Sequence, residues 1–276
     1  MSIKSKLLAT AATLTLVSGV GMAGVLAAGP AAAATPSCGP GCVNLFNVDI
    51  GPGFLVDVLR QGEKVGQPII LFRSANFDPA LDWSISFQGT VADFFAAGLV
   101  SATTALHYGC DAATTGFAGG TCFTPATATT PASGTFPNLN AFEIEYAPFG
   151  VDSGLCMGVA ATAFNDEGVT LQPCGVSAKT VWIVDSFDQR TGVPTPVFRN
   201  TPFNNLPLIN GSNTNFSRPF VLTYPGNAFP TDKPRPQIVV TNLTGFQQPG
   251  TNGVILPVIN SINSSQLWGG FQGVVN

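Results

Sequence analysis

Apolar residues along this chain fall in short runs rich in Val, Ile, Leu and Phe, separated by Gly, Pro and Asn. Such runs, with their β-branched and aromatic enrichment, predict strands, and no stretch sustains a helical period. The nearest to one is "TVADFFAAGLVSATTALHY", where Ala and Leu favour a short helix against several β-branched residues and a glycine. The runs also repeat. "VNLFN, FLVDVL, PIILFR, LDWSISF" is followed by "FEIEYAP, LCMGV, VTLQPC, TVWIVDS", and then by "PVFRN, LPLING, FVLTYP" and "SQLWGGF". Leu55 to Trp83 is 28 residues and Cys156 to Trp182 is 26, so two units match in spacing, and each of the three tryptophans falls in the last strand of one unit. In the third unit "PRPQIVVTNL" competes with "SSQLWGGF" for that strand. Four strands cannot bury their own apolar face, so three such units predict an all-β chain closed with threefold pseudo-symmetry, the units covering about 42–100, 140–190 and 195–276. The Thr/Ala/Gly-rich segment at about 103–138 has few large apolar residues and is expected as a surface insertion in the first unit.

Composition and charge add the setting. Lys4 and Lys6 precede a long uncharged run that ends in "GPAAAATP", the order of a secretory signal peptide covering residues 1–34. A secreted, extracellular protein is expected, its mature domain spanning 35–276 with no membrane span. Without the signal the chain keeps nine basic residues against fifteen acidic ones, a formal charge of −6. The few cations are scattered, which argues against nucleic acid as a partner. In an oxidising compartment the six cysteines are read first as disulfides. Proximity suggests Cys38 with Cys42, Cys110 with Cys122 and Cys156 with Cys174, among fifteen possible pairings. With a single histidine, His107, the chain is poorly supplied for a zinc site, and neither metal nor cofactor is expected.

"GLCMGVAATAFNDEGVTLQPCGVSAKTVW" (154–182) resembles one repeat of the ricin-type β-trefoil lectins, whose repeats run Cys-Leu-Asp-Val, an apolar strand ending in an aromatic and a cysteine, then Gln-x-Trp. The likeness extends to 54–87 and, more loosely, to the third unit. It implies a β-trefoil of three four-stranded repeats, a Cys156–Cys174 bridge inside the second repeat, and tryptophans packed in a shared core. It also implies where sugar would bind: an Asp takes vicinal hydroxyls, an aromatic stacks on the apolar face of the ring, and an amide fixes its orientation. Carried over, the first unit keeps Asp57 and Phe72 but has Leu81 in the Gln position. The second has Gly158 and Gln172 and is expected to be empty. The third offers Asn210 and Tyr224, with Gln266 in the Gln-x-Trp position.

Catalytic arrangements are sparse. His107 has no Gly-x-Ser-x-Gly partner segment. Glu143 and Glu145 in "FEIEY" fall on one face of a strand, the spacing a glycosidase could use, although a polar face turned to water explains them equally. The expected function is a non-enzymatic carbohydrate-binding protein, with a glycan or cell-surface polysaccharide as partner. A protein-binding or inhibitory trefoil with eroded pockets is the alternative, and a glycan hydrolase the outsider.

Overall fold

Strands form where the apolar runs lie. The computed structural model describes residues 42–73, 78–109, 139–184, 206–216, 218–226, 237–244 and 262–272, with two-residue strands at 187–188, 193–194, 246–247 and 256–257. Residues 1–34, expected as a signal peptide, and Cys38, Cys110 and Cys122 lie outside the described residues. The first unit comprises β1 (Val43–Asn47), β2 (Phe54–Val58), β3 (Ile69–Arg73) and β4 (Trp83–Thr90). The second comprises β5 (Asn140–Tyr146), β6 (Leu155–Val159), β7 (Glu167–Pro173) and β8 (Val181–Val184). The third comprises β9 (Leu208–Asn210), β10 (Phe220–Thr223), β11 (Val239–Asn242) and β12 (Trp268–Gln272). "QIVVTNL" is thus the third strand of its unit and "LWGGF" the fourth.

First and fourth strands close a six-membered ring. β1 pairs with β12, β4 with β5 and β8 with β9, joining successive units. Within units the contacts are Val43 to Trp83, β5 to β8, and Leu206 to Trp268. The second and third strands form hairpins, β2–β3, β6–β7 and β10–β11. These interlock beyond the ring: Pro68 bridges Thr170, Ile70 bridges Gln237, and Val239 faces Gly168. A closed six-strand ring capped by three hairpins is a β-trefoil.

One hydrogen bond repeats in every unit. The indole Nε1–H of Trp83 donates to Val56 O at 3.0 Å, that of Trp182 to Met157 O at 2.9 Å, and that of Trp268 to Leu222 O at 2.8 Å. All three tryptophans are fully buried in one core with Val56, Val58, Ile69 and Leu71 and their counterparts. A second repeated bond joins neighbouring units. Asn47 Nδ2 donates to Ser265 O at 2.9 Å and Asn210 Nδ2 to Lys179 O at 3.0 Å, in each case the carbonyl three residues before a tryptophan. At the third such position stands Tyr146, its ring 5.6 Å from that of Trp83.

A second core lies on the outer side of the ring. Helices α1 (Val91–Ala96) and α2 (Ala102–Tyr108) bring Val91, Phe94 and Tyr108 against Val181, Ile183, Ile209 and Val221. α1 opens with a capping box, Asp93 N–H donating to Thr90 Oγ1 while Thr90 N–H donates to Asp93 Oδ2, and α2 is capped by Ser101. With Trp182 and Val184 facing the inner core, β8 is covered on both sides, which explains its unbroken apolar run. Residues 103–109 of the expected insertion therefore belong partly to this core, Ala105 and Tyr108 being buried; 110–138 lie outside the described residues.

Replacing any one tryptophan by phenylalanine leaves a buried carbonyl without its donor. Trp83→Phe, Trp182→Phe and Trp268→Phe are each expected to cost about 1–3 kcal/mol from that term, before any loss of packing. Urea unfolding of the three variants checks this, and similar losses from all three are expected.

Candidate functional site

The repeated tryptophan bond gives each unit a common address. The residue after the accepting carbonyl is Asp57, Gly158 or Thr223. Across each hairpin, Leu55 faces Phe72, Cys156 faces Gln172 and Val221 faces Thr241, so these form the matching second set. Two residues before each tryptophan stand Leu81, Thr180 and Gln266. Asn210 and Tyr224 lie elsewhere. Asn210 is the unit-joining amide described above, and its Oδ1 accepts from Ser212 N at 3.0 Å. Tyr224 matches Val58 and packs in the central core. The structure does not bring these two together at the third unit's address.

Only the first unit places a carboxylate and an aromatic there. Along β2, Val56 and Val58 face the central core, so alternation puts Leu55 and Asp57 on the outer face. On β3, Ile69 and Leu71 face inward, leaving Ile70 and Phe72 outward. Asp57 faces Ile70 and is the diagonal neighbour of Phe72. Asp57 is 3% exposed and Phe72 half-buried. Leu81 packs on Leu55 beside Phe46, so no amide serves this unit.

The other addresses are closed in different ways. A β-carbon on Gly158 would lie 2.7 Å from Lys179 O, so no side chain fits without movement of backbone. In the third unit Thr223 and Thr241 share a hydrogen bond at 2.8 Å. Gln266 Nε2 donates to Thr241 Oγ1 and Asn242 O, both at 2.9 Å, while its Oε1 accepts from Thr244 N and Oγ1. That buried amide is saturated by the protein's own groups.

Glu143 and Glu145 do share a face of β5, but they do not meet water. Glu143 accepts from Gly175 N at 3.0 Å and from Thr180 Oγ1; Glu145 accepts from Gly154 N at 2.6 Å. Gly154 and Gly175 flank the β6–β7 hairpin, both at positive φ, and the Cys156–Cys174 disulfide lies between them. The two carboxylates thus grip both ends of one hairpin base. The bridge, across a sequence separation of 18, contributes about 3 kcal/mol by restricting the unfolded chain. Cys42 is disulfide-bonded as well. Among the described residues, the one group of His, Cys, Asp or Glu close enough to hold an ion is Glu145, Cys156 and Cys174, and its sulfurs are bonded to each other.

Burial pushes the Glu145 carboxyl above the usual glutamate range, opposed by the Gly154 N–H and reinforced by the negative charge of Asp152. Burial likewise raises Tyr146, with the charges of Glu63 and Asp57 adding to it. His107 stacks on Phe216 with ring centroids 4.0 Å apart and donates from Nδ1 to Thr103 O. Burial lowers its pKa, and this backbone bond opposes the shift. These placements give the histidine a packing role on α2.

No family model matches the chain, and no curated protein matches it. Among solved structures it is similar to a designed threefold-symmetric protein, ThreeFoil, at 10% identity and a TM-score of 0.42, over 83% of this chain and 97% of that one. A mosquitocidal holotoxin is similar at 10% identity and a TM-score of 0.43, over 84% of this chain and 17% of the toxin. A Caenorhabditis elegans protein of unknown function follows at 10% identity and a TM-score of 0.36, over 86% of this chain and 96% of that one.

The raised Glu145 makes stability pH-dependent. Its folded form holds a proton more tightly than the unfolded chain, so this group's contribution is present below the ordinary glutamate pKa and is lost as pH rises through the folded value. Glu145→Gln retains an acceptor for Gly154 N–H and removes the titration. Urea midpoints measured between about pH 4 and 7 are expected to fall less steeply with rising pH in the variant than in the wild type.

Proposed function

We propose that this protein is a secreted, non-enzymatic carbohydrate-binding β-trefoil whose glycan contact centres on the first unit. The observation that carries the reading is the single surviving pair: Asp57 and Phe72 share the outer face of the β2–β3 hairpin, while the matching pairs are Gly158 with Gln172 and Thr223 with Thr241. A carboxylate accepts hydrogen bonds from ring hydroxyls, and an aromatic covers the apolar face of a pyranose. The use of Glu143 and Glu145 as hairpin anchors supports a binding role over hydrolysis. The order of basic, apolar and small residues in 1–34 supports secretion. A glycan or polysaccharide is the partner this chemistry fits.

Asp57→Asn keeps the side-chain volume and removes the charge. Hydrogen bonds to an ionised partner are worth roughly 1.5–3 kcal/mol, so binding on a glycan array or to insoluble polysaccharide is expected to fall about tenfold or more. Gln172→Ala, at the matching position of the second unit, is expected to leave binding unchanged. A wild-type protein that retains no glycan would instead favour the protein-binding reading.

A further inference from the structure

The loop 147–154, between β5 and β6, carries an aromatic where folding gives least reason for one. Phe149 has φ +56°, in the left-handed region that a bulky residue seldom occupies, and Gly150 follows at φ +77°. Glycine at 149 would relieve that backbone. The side chain gains little from burial in return, being 69% exposed, and Val151 beside it is 67% exposed. A residue penalised by its backbone and left in water points to a use outside the fold.

The loop is held rather than loose. The buried Asp82 accepts from Phe149 N–H at Oδ2, 3.1 Å, and Ser84 Oγ donates to Asp152 Oδ1, also 3.1 Å. Asp82 and Ser84 are two residues apart around the start of β4, so the anchors fix Phe149 and Asp152 at points roughly 7 Å apart along that strand. Asp152 is exposed, and among the described residues its Oδ2 has no hydrogen-bond partner. The rim is therefore an exposed ring, a small apolar side chain and a carboxylate with one oxygen open, on a rigid support.

We propose that Phe149 and Asp152 form a second carbohydrate contact, separate from Asp57 and Phe72, in which one pyranose stacks on the Phe149 ring and a hydroxyl donates to Asp152 Oδ2. The proposal rests on the carbohydrate-binding reading and adds a site to it. A neutral pyranose fits this chemistry: an apolar ring face meets the aromatic, and a hydroxyl, unlike an anionic group, is welcome beside the carboxylate.

The test uses the full-length protein, its Phe149→Gly, Phe149→Trp and Asp57→Asn variants, and four probes: cellulose, chitin, xylan and galactose-bearing beads. On whichever probe the wild type binds, Phe149→Gly is expected to lower affinity about tenfold and Phe149→Trp to preserve it. The unfolding midpoint of Phe149→Gly should not drop, because glycine suits the backbone there. A lowered midpoint accompanying the loss, or equal loss in Phe149→Trp, would overturn the platform role. If Asp57→Asn weakens binding and Phe149→Gly does not, the second contact is refuted while the carbohydrate reading stands. If Phe149→Gly weakens binding and Asp57→Asn does not, the second contact stands and the first-unit assignment falls. Binding to none of the four probes would overturn both.

Discussion

Three indole N–H groups hold this fold in register. Each tryptophan lies in the first two residues of a fourth strand of the ring and donates to a carbonyl on the second strand of its own unit. The bond ties hairpin to ring among fully buried residues, where an unpaired carbonyl would cost more than the bond itself contributes. Because the bond fixes the second strand's register, it also fixes which residue comes next on that strand. Asp57, Gly158 and Thr223 occupy their addresses because Val56, Met157 and Leu222 accept. The architectural contact and the candidate binding position are adjacent residues of one strand.

The three addresses show how a repeated scaffold separates shape from use. One holds a carboxylate beside an aromatic, one has no room for a side chain, and one has its polar groups tied to one another by hydrogen bonds. All three keep the tryptophan bond. The fold constrains the inner face of each hairpin strongly and the outer face weakly, so outer positions are free to diverge. The same asymmetry appears between units, where Asn47 and Asn210 make equivalent bonds and Tyr146 replaces the amide by a ring packed on Trp83.

Much of this was legible in the sequence, for reasons that also explain the rest. The Trp83 and Trp182 bonds span 27 and 25 residues, so two units announce themselves by spacing; the Trp268 bond spans 46, and that length obscured the third unit. That spacing places the sequence candidates Asn210 and Tyr224 one strand and one residue away from Thr223. The pairing of Cys156 with Cys174, suggested by proximity and implied by the family resemblance, is present in the structure. Thr90 and Asp93 are spaced as a capping box, a signal for the start of α1 that the run's mixed composition hid. The burial of Glu143 and Glu145 left no local signal. Alternation places them on a face away from the core, and groups distant in sequence cover them, the Gly154 and Gly175 N–H and the Thr180 hydroxyl. The left-handed backbone of Phe149 was equally silent, since "PFG" marks a turn without saying which residue bears the strain.

Ring closure has a consequence for the order in which the protein can be assembled. β1 pairs residue for residue with β12, Asn47 facing Trp268, so the earliest strand of the domain waits for the latest. Contacts so distant in sequence carry a loop-closure cost that must be met before they stabilise anything, and they slow folding. While the chain is being made, Val43 can pair with Trp83 of its own unit, but the other edge of β1 stays unpaired until Trp268 has emerged. An emerging chain therefore carries an open strand edge through most of its synthesis.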